Sequence, residues 1–138
     1  MTVFFDTSAL AKRYLSERGS KTVNGIVEGA DGIAVSILFL PELASTLSRL
    51  VREGQLKESD RDFIKAEALA DLADADVCQV SAVVVASTIA LLEAGSLRTL
   101  DAIQVASAYA LGSELFVSAD RRQLAAARLA GLDIVDVS

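Results

Sequence analysis

Asp6, Glu42, Asp101 and Asp120 each stand where a helix is expected to begin. Asp6 closes the apolar run Val3-Phe4-Phe5, and Asp120 follows Leu115-Phe116-Val117. Glu42 comes directly after Pro41, whose ring is tolerated only in the first turn or so of a helix. Asp101 lies two residues after Thr99, a capping residue type. Taken singly, each is explained by its helix end, since an Asp cap stabilises by about 1 kcal/mol and a first-turn acid by ~0.3–1 kcal/mol. Taken together they are not, because clustered carboxylates repel by roughly 1–4 kcal/mol per close pair. A hard cation resolves that conflict. Mg²⁺ or Mn²⁺ prefers oxygen ligands in octahedral geometry and keeps waters, which leaves positions for phosphate oxygens. Such an ion can activate a water and stabilise the leaving oxygen of a phosphodiester.

The remaining polar residues narrow the chemistry further. The chain has no histidine, which removes Ser-His-Asp and Cys-His catalysis and any histidine pair for cleaving RNA. Cys78 is alone in an apolar run, so disulfides and Cys-rich zinc sites are excluded and a buried, inert thiol is expected. Arg98 lies three residues before Asp101, placed either to contact a phosphate or to pair with that carboxylate. Ser8 and Ser118 each lie two residues from one of the acids, suited to orienting a carboxylate or water and equally to capping a helix. Lys12, Arg13, Arg121 and Arg122 could contact phosphate in the same way, though a solvated helix face is the more ordinary reading of each.

The elements that must position these residues alternate. Val3–Phe5, Ile33–Val35, Val77–Val80, Leu115–Val117 and Leu132–Val135 read as short buried strands. Helical patterns fill the intervals. The first, with Leu10, Ala11, Tyr14 and Leu15 inward, stops at Gly19. Next come a short helix from Ser20 and one from Ser36 with Leu40, Leu43, Leu47 and Leu50 on one face. Residues 52–76 form a charged amphipathic stretch with a narrow stripe of Phe63, Ile64, Leu69 and Leu72. Val83–Leu92 is apolar nearly all round, which suggests burial on two sides, one of them against a second subunit. Leu100–Leu111 and a helix from Asp120 to Gly131 complete the chain. Strands alternating with helices imply a parallel sheet covered on both faces. Crossover helices then start at the carboxyl edge of the sheet, which gathers the four acids on one edge.

The 138 residues, 52% hydrophobic, fit one domain over 1–138 that needs no structural metal. A net charge of −6 argues against non-specific coating of nucleic acid while leaving room for locally placed basic residues. No basic leader is visible, and the uncharged stretch Val77–Leu92 falls short of the ~20 residues of a membrane span, so a cytoplasmic protein with no membrane partner is expected.

With these residues in place, the sequence resembles the PIN-domain ribonucleases, specifically VapC-type toxins of toxin–antitoxin pairs. The resemblance spans nearly the whole chain. It rests on Phe5-Asp6-Thr7-Ser8-Ala9-Leu10, Pro41-Glu42-Leu43-Ala44, Leu97-Arg98-Thr99-Leu100-Asp101-Ala102-Ile103 and Phe116-Val117-Ser118-Ala119-Asp120. It implies a three-layer α/β/α fold with strand order 3-2-1-4-5. It also implies that Asp6, Glu42, Asp101 and Asp120 form an Mg²⁺ or Mn²⁺ site for endonucleolytic cleavage of RNA. A homodimer and a small antitoxin reaching into the acidic groove are implied as partners. Ser118 stands where many relatives carry threonine, and the hydroxyl is retained. A receiver domain would need adjacent acids after strand one and a lysine after strand five, whereas no lysine occurs after Lys65. A haloacid-dehalogenase-type phosphatase would need an acid where Ser8 stands. A non-catalytic binding module, or a housekeeping nuclease, on the same fold remains the alternative.

Overall fold

The computed structural model describes residues 1–138. Five strands form a single sheet: β1 (Thr2–Phe5), β2 (Gly32–Ser36), β3 (Asp76–Cys78), β4 (Leu115–Ser118) and β5 (Asp133–Asp136). Every pairing is parallel and the order is β3-β2-β1-β4-β5, as the resemblance implied. Between the strands run α1 (Thr7–Leu10), α2 (Ser20–Gly29), α3 (Phe39–Arg52), α4 (Glu58–Leu72), α5 (Ala82–Ala94), α6 (Thr99–Ala110) and α7 (Arg121–Leu129).

β1 is the centre of the molecule, and its side chains alternate between two cores as a strand's must. Val3 and Phe5 join Leu10, Val35, Leu43, Leu47 and Ile64 on the face covered by the first four helices. Phe4 points to the other face, among Ala34, Val105, Phe116 and Leu124 from the α6 and α7 side. Its ring stacks on Phe116 with centroids 5.7 Å apart and planes 8° from parallel. Because both faces of β1 are dry, the strand reads as an unbroken apolar run, and its carboxyl end is fixed in place.

Several local expectations are revised. The first helix is only one turn, continuing as a 3₁₀ turn over Ala11–Arg13. Lys12 is buried there because its ammonium donates to the carbonyl of Arg18 at 2.6 Å and lies 3.4 Å from Glu17. Arg13 is held by Asp71 and Asn24, so neither residue lies on a free solvated face. The charged stretch divides at Gly54, with α3 ending at Arg52 and α4 burying Ile64 and Ala68 while Phe63 and Leu69 stay exposed. The helix from Ser36 instead starts at Phe39, since Ser36 completes β2 and accepts the Leu38 amide. In α5 only Val84 and Thr88 are buried, leaving Val83, Val85 and Ile89 in the open within one chain.

Gly19 closes the segment before α2 at φ 91°, where a Cβ would stand 2.4 Å from the carbonyl oxygen of Val137. The chain can make that turn against its own last strand only without a side chain.

Candidate active site

Asp6 is set by the sheet. Its amide donates to the Val117 carbonyl at 3.0 Å, which carries the β1–β4 ladder one residue beyond the strand. Its carboxylate then caps α1, accepting from the Ser8 amide at 3.1 Å and from the Ser8 hydroxyl. The same Oδ2 lies 3.5 Å from the Ser118 hydroxyl, and Oδ1 accepts from the Gln123 amide at 3.1 Å. Helix cap and cluster member are therefore one role, and at 5% exposure nearly every acceptor site of Asp6 is used within the protein.

The other acids keep oxygens free. Glu42, in the first turn of α3, accepts through Oε1 from Thr7 at 3.0 Å and from Gln104 at 2.7 Å, leaving Oε2 without a protein partner. Asp120 caps α7 through Oδ1, which accepts from the Arg122 and Gln123 amides at 2.9 and 3.3 Å. Asp101, in the first turn of α6, makes no side-chain hydrogen bond within the chain. These four residues, with Ser8, line one groove of about 750 Å³ at the carboxyl edge of the sheet. Ser118 is fully buried beneath it. Arg98 is outside the groove, in a neighbouring pocket that shares Asp101 and Asp120 as its wall.

The structure adds two residues that pattern reading passed over. Gln123 is wholly buried; its amide nitrogen donates to Asp6 and to the Asp101 carbonyl, both at 3.1 Å, and its oxygen accepts from Ser118 at 2.7 Å. Gln104, 1% exposed, ties Glu42 to Thr7 from α6. Each glutamine lies three residues after an acid, on the inward face of the same helix: Asp101 with Gln104, Asp120 with Gln123. That spacing was the available signal, since an uncharged amide at a core position needs partners there.

The electrostatics follow from this burial. Asp6 has its pKa raised, first by burial, against the opposing pull of its bonds from Ser8 and Gln123. Glu42 is raised by burial and by the charges of Asp6 and Asp101, with Thr7 and Gln104 opposing. Asp101 is raised by burial, Asp120 and Asp6, and lowered by Arg98. The groove thus holds mutually opposed negative charges whose free oxygens face open space.

An all-oxygen donor set of this kind suits a hard divalent cation. No three of the acids converge tightly enough to form a ready-made coordination shell. Such spacing fits Mg²⁺, which commonly uses one or two carboxylates and fills its other positions with water and substrate phosphate.

The family model described as PIN domain matches residues 3–129. Ribonuclease VapC45 and Ribonuclease VapC49 of Mycobacterium tuberculosis are each 33% identical over 131 residues, covering 94% of this chain and 91% of the relative. Among solved structures, FitAcB from Neisseria gonorrhoeae superposes with a TM-score of 0.74 at 11% identity, covering 97% of this chain and 96% of that one. The sarcin-ricin loop cleaving toxin VapC20 of M. tuberculosis superposes at 0.70 with 19% identity, covering 90% and 94%. At those identities the superpositions speak for the fold.

Proposed function

The chain belongs to the PIN-domain family, and from that premise we propose that it is a divalent-metal-dependent endoribonuclease serving as the toxin of a toxin–antitoxin pair. The observation that carries the reading is that four carboxylates, from four separate segments, line one open groove. Relatives named ribonucleases over nearly the same length support the reaction. The presence of a Klebsiella pneumoniae toxin–antitoxin complex among the structural neighbours supports the partner.

Asp6, Glu42, Asp101 and Asp120 would hold the ion, Mg²⁺ or Mn²⁺. When bound, it supplies charge to polarise a phosphodiester and to make water a competent nucleophile at neutral pH. The chain's own residues do the positioning. Gln123 and Ser8 fix the Asp6 carboxylate from opposite sides, and Ser118 braces Gln123 from below. Gln104 and Thr7 aim Glu42 by occupying Oε1, so that Oε2 faces the groove. Asp101, unbonded, is free to meet ion or water. Arg98, beyond Asp101, offers a guanidinium to a phosphate oxygen of the strand.

The groove extends past the acids along Leu15, Leu38 and Leu50 to Arg49, a mixed apolar and charged path suited to an antitoxin segment. The exposed apolar side chains of α5, Val83, Val85 and Ile89, are the surface on which a homodimer would close. No helix is long and apolar enough to cross a membrane, and a cytoplasmic site of action for a single domain is part of this proposal.

The test is cleavage of a structured RNA mixture with Mg²⁺ or Mn²⁺, against EDTA and the variants Asp6→Asn and Asp101→Asn. Metal-dependent cutting that both variants lose, with circular dichroism showing them folded, is the expected result. Absence of metal binding by the wild type would refute the reading and leave a binding module.

A further inference from the structure

Beside the acidic groove lies a second pocket of about 510 Å³, lined by Ser96, Arg98, Arg121 and Arg122 and closed on one side by Asp101 and Asp120. Three guanidiniums are thus gathered on an otherwise acidic protein of net charge −6. They are held there by two helix ends: Arg98 caps the start of α6 with extended backbone, and Arg121 and Arg122 open α7. Neither Arg98 nor Arg122 has a carboxylate within ion-pair distance, and Arg121 reaches Asp136 only at 3.9 Å with its side chain 85% exposed. Other cations of the chain, Arg52 among them, also lack an ion pair, so what sets these three apart is that they are gathered in one pocket. Asp101 and Asp120 on its wall offset part of their charge without pairing with them, which leaves donor capacity for an anion from outside.

We propose that this pocket is a second phosphate subsite, in which Arg98, Arg121 and Arg122 hold the backbone phosphate next to the scissile one. The assignment rests on the endoribonuclease reading above. The two pockets share Asp101 and Asp120 as a common wall, so a strand with one phosphodiester at the acids has its neighbour within reach of the guanidiniums. The start of α6, which has no side-chain cap, also lies here, and a helix N-terminus favours phosphate. The contact is to backbone, so it positions the strand and carries no base preference of its own.

The test is binding of a fluorescein-labelled decauridylate to the wild-type chain in EDTA, followed by fluorescence anisotropy over a series of KCl concentrations. Each phosphate contact on a single strand contributes about 0.7 to the slope of log affinity against log salt, or about 2.6-fold in affinity between 50 and 200 mM. Arg98→Ala is expected to lower the slope by about one such contact, and Arg121→Ala with Arg122→Ala by at least one more. Arg98→Lys should restore most of the loss, and Arg52→Ala, an exposed cation at the far end of α3, should leave the slope unchanged. Equal slopes in wild type and arginine variants, or no binding by the wild type, would overturn the subsite. Cleavage by the wild type with Mn²⁺ is measured alongside: cutting with equal slopes refutes the subsite alone. Falling slopes without any cutting refute the nuclease reading and leave a strand-binding pocket.

Discussion

The four acids should not respond alike to neutralisation, and Asp101→Asn is the decisive case. Asp101 has no hydrogen bond of its own to lose, stands in the field of Asp120 and Asp6, and is half-buried. Replacing it with an isosteric amide removes the cost of burying a charge together with the repulsion from Asp120 and Asp6, and breaks no hydrogen bond. At full strength a like-charge pair at 4 Å costs about 4 kcal/mol at a dielectric of 20, and solvent screening of a half-exposed group reduces this to about 1 kcal/mol. For 138 residues the unfolding entropy is about 0.3 kcal/mol/K, so the metal-free variant should melt about 3 °C above wild type at pH 7.5. The gain must depend on pH. The folded state raises the Asp101 pKa above its ordinary value near ~3.9, so the folded protein binds more protons than the unfolded chain across that window. Wild type therefore loses stability as pH rises through the raised pKa. As pH falls toward the ordinary value the folded carboxyl takes up its proton and the unfolded one is about half protonated, so the difference should shrink, vanishing only well below that value. Thermal melts in EDTA at pH 4 and 7.5 measure both points. Cleavage should fall at least about 100-fold in the same variant, and added Mn²⁺ should raise the wild-type melting temperature more than the variant's. A variant less stable than wild type at pH 7.5, or a gain that persists unchanged at pH 4, would refute the view that these acids repel for want of a cation.

Asp6→Asn should behave oppositely, because any orientation of the new amide turns its NH₂ toward Gln123 or Ser8, both donors; a melting temperature at or below that of wild type is expected. Gln123→Leu strands Asp6 Oδ1 and the Asp101 carbonyl in a dry site, which should cost ~2–4 kcal/mol in urea unfolding and lower Mn²⁺ affinity ~10-fold or more by titration calorimetry. Thr7→Val removes one of two donors to Glu42 and should cost ~1 kcal/mol while Gln104 keeps the carboxylate aimed, so cleavage should fall less than in Gln104→Leu. Gly19→Ala meets the Val137 carbonyl as well as a left-handed backbone and should lose at least ~2 kcal/mol by the same measurement.

The strands, their parallel pairing and the common edge for the acids were legible because they follow from apolar runs and from where crossover helices begin. The sequence also places Arg98 beside Asp101, and the two do share a pocket. What pattern reading missed depended on packing and partners that the pattern of a single element does not show. Lys12 looked like a surface residue until the turn through Gly19 brought the Arg18 carbonyl over its ammonium. Phe63 and Leu69 looked inward, yet α4 is pinned by Ile64 and Ala68, one step around the helix. Gln104 and Gln123 have no meaning as single polar residues; their bonds reach Thr7 and Asp6, 97 and 117 positions away.

The central position of β1 has a consequence for synthesis. Asp6 is among the first residues made, yet its amide partner is Val117 and its carboxylate is held by Gln123. At about 5–20 residues per second, roughly 6–23 s separate the making of Asp6 from that of Asp120. Until the last part of that interval the nascent chain lacks α6, and throughout it lacks α7 and the Gln123 that holds Asp6. A fragment ending before β4 would bind no ion in this way and cut nothing. The site is thus incomplete while the chain is being translated, and is assembled only when the chain is nearly whole.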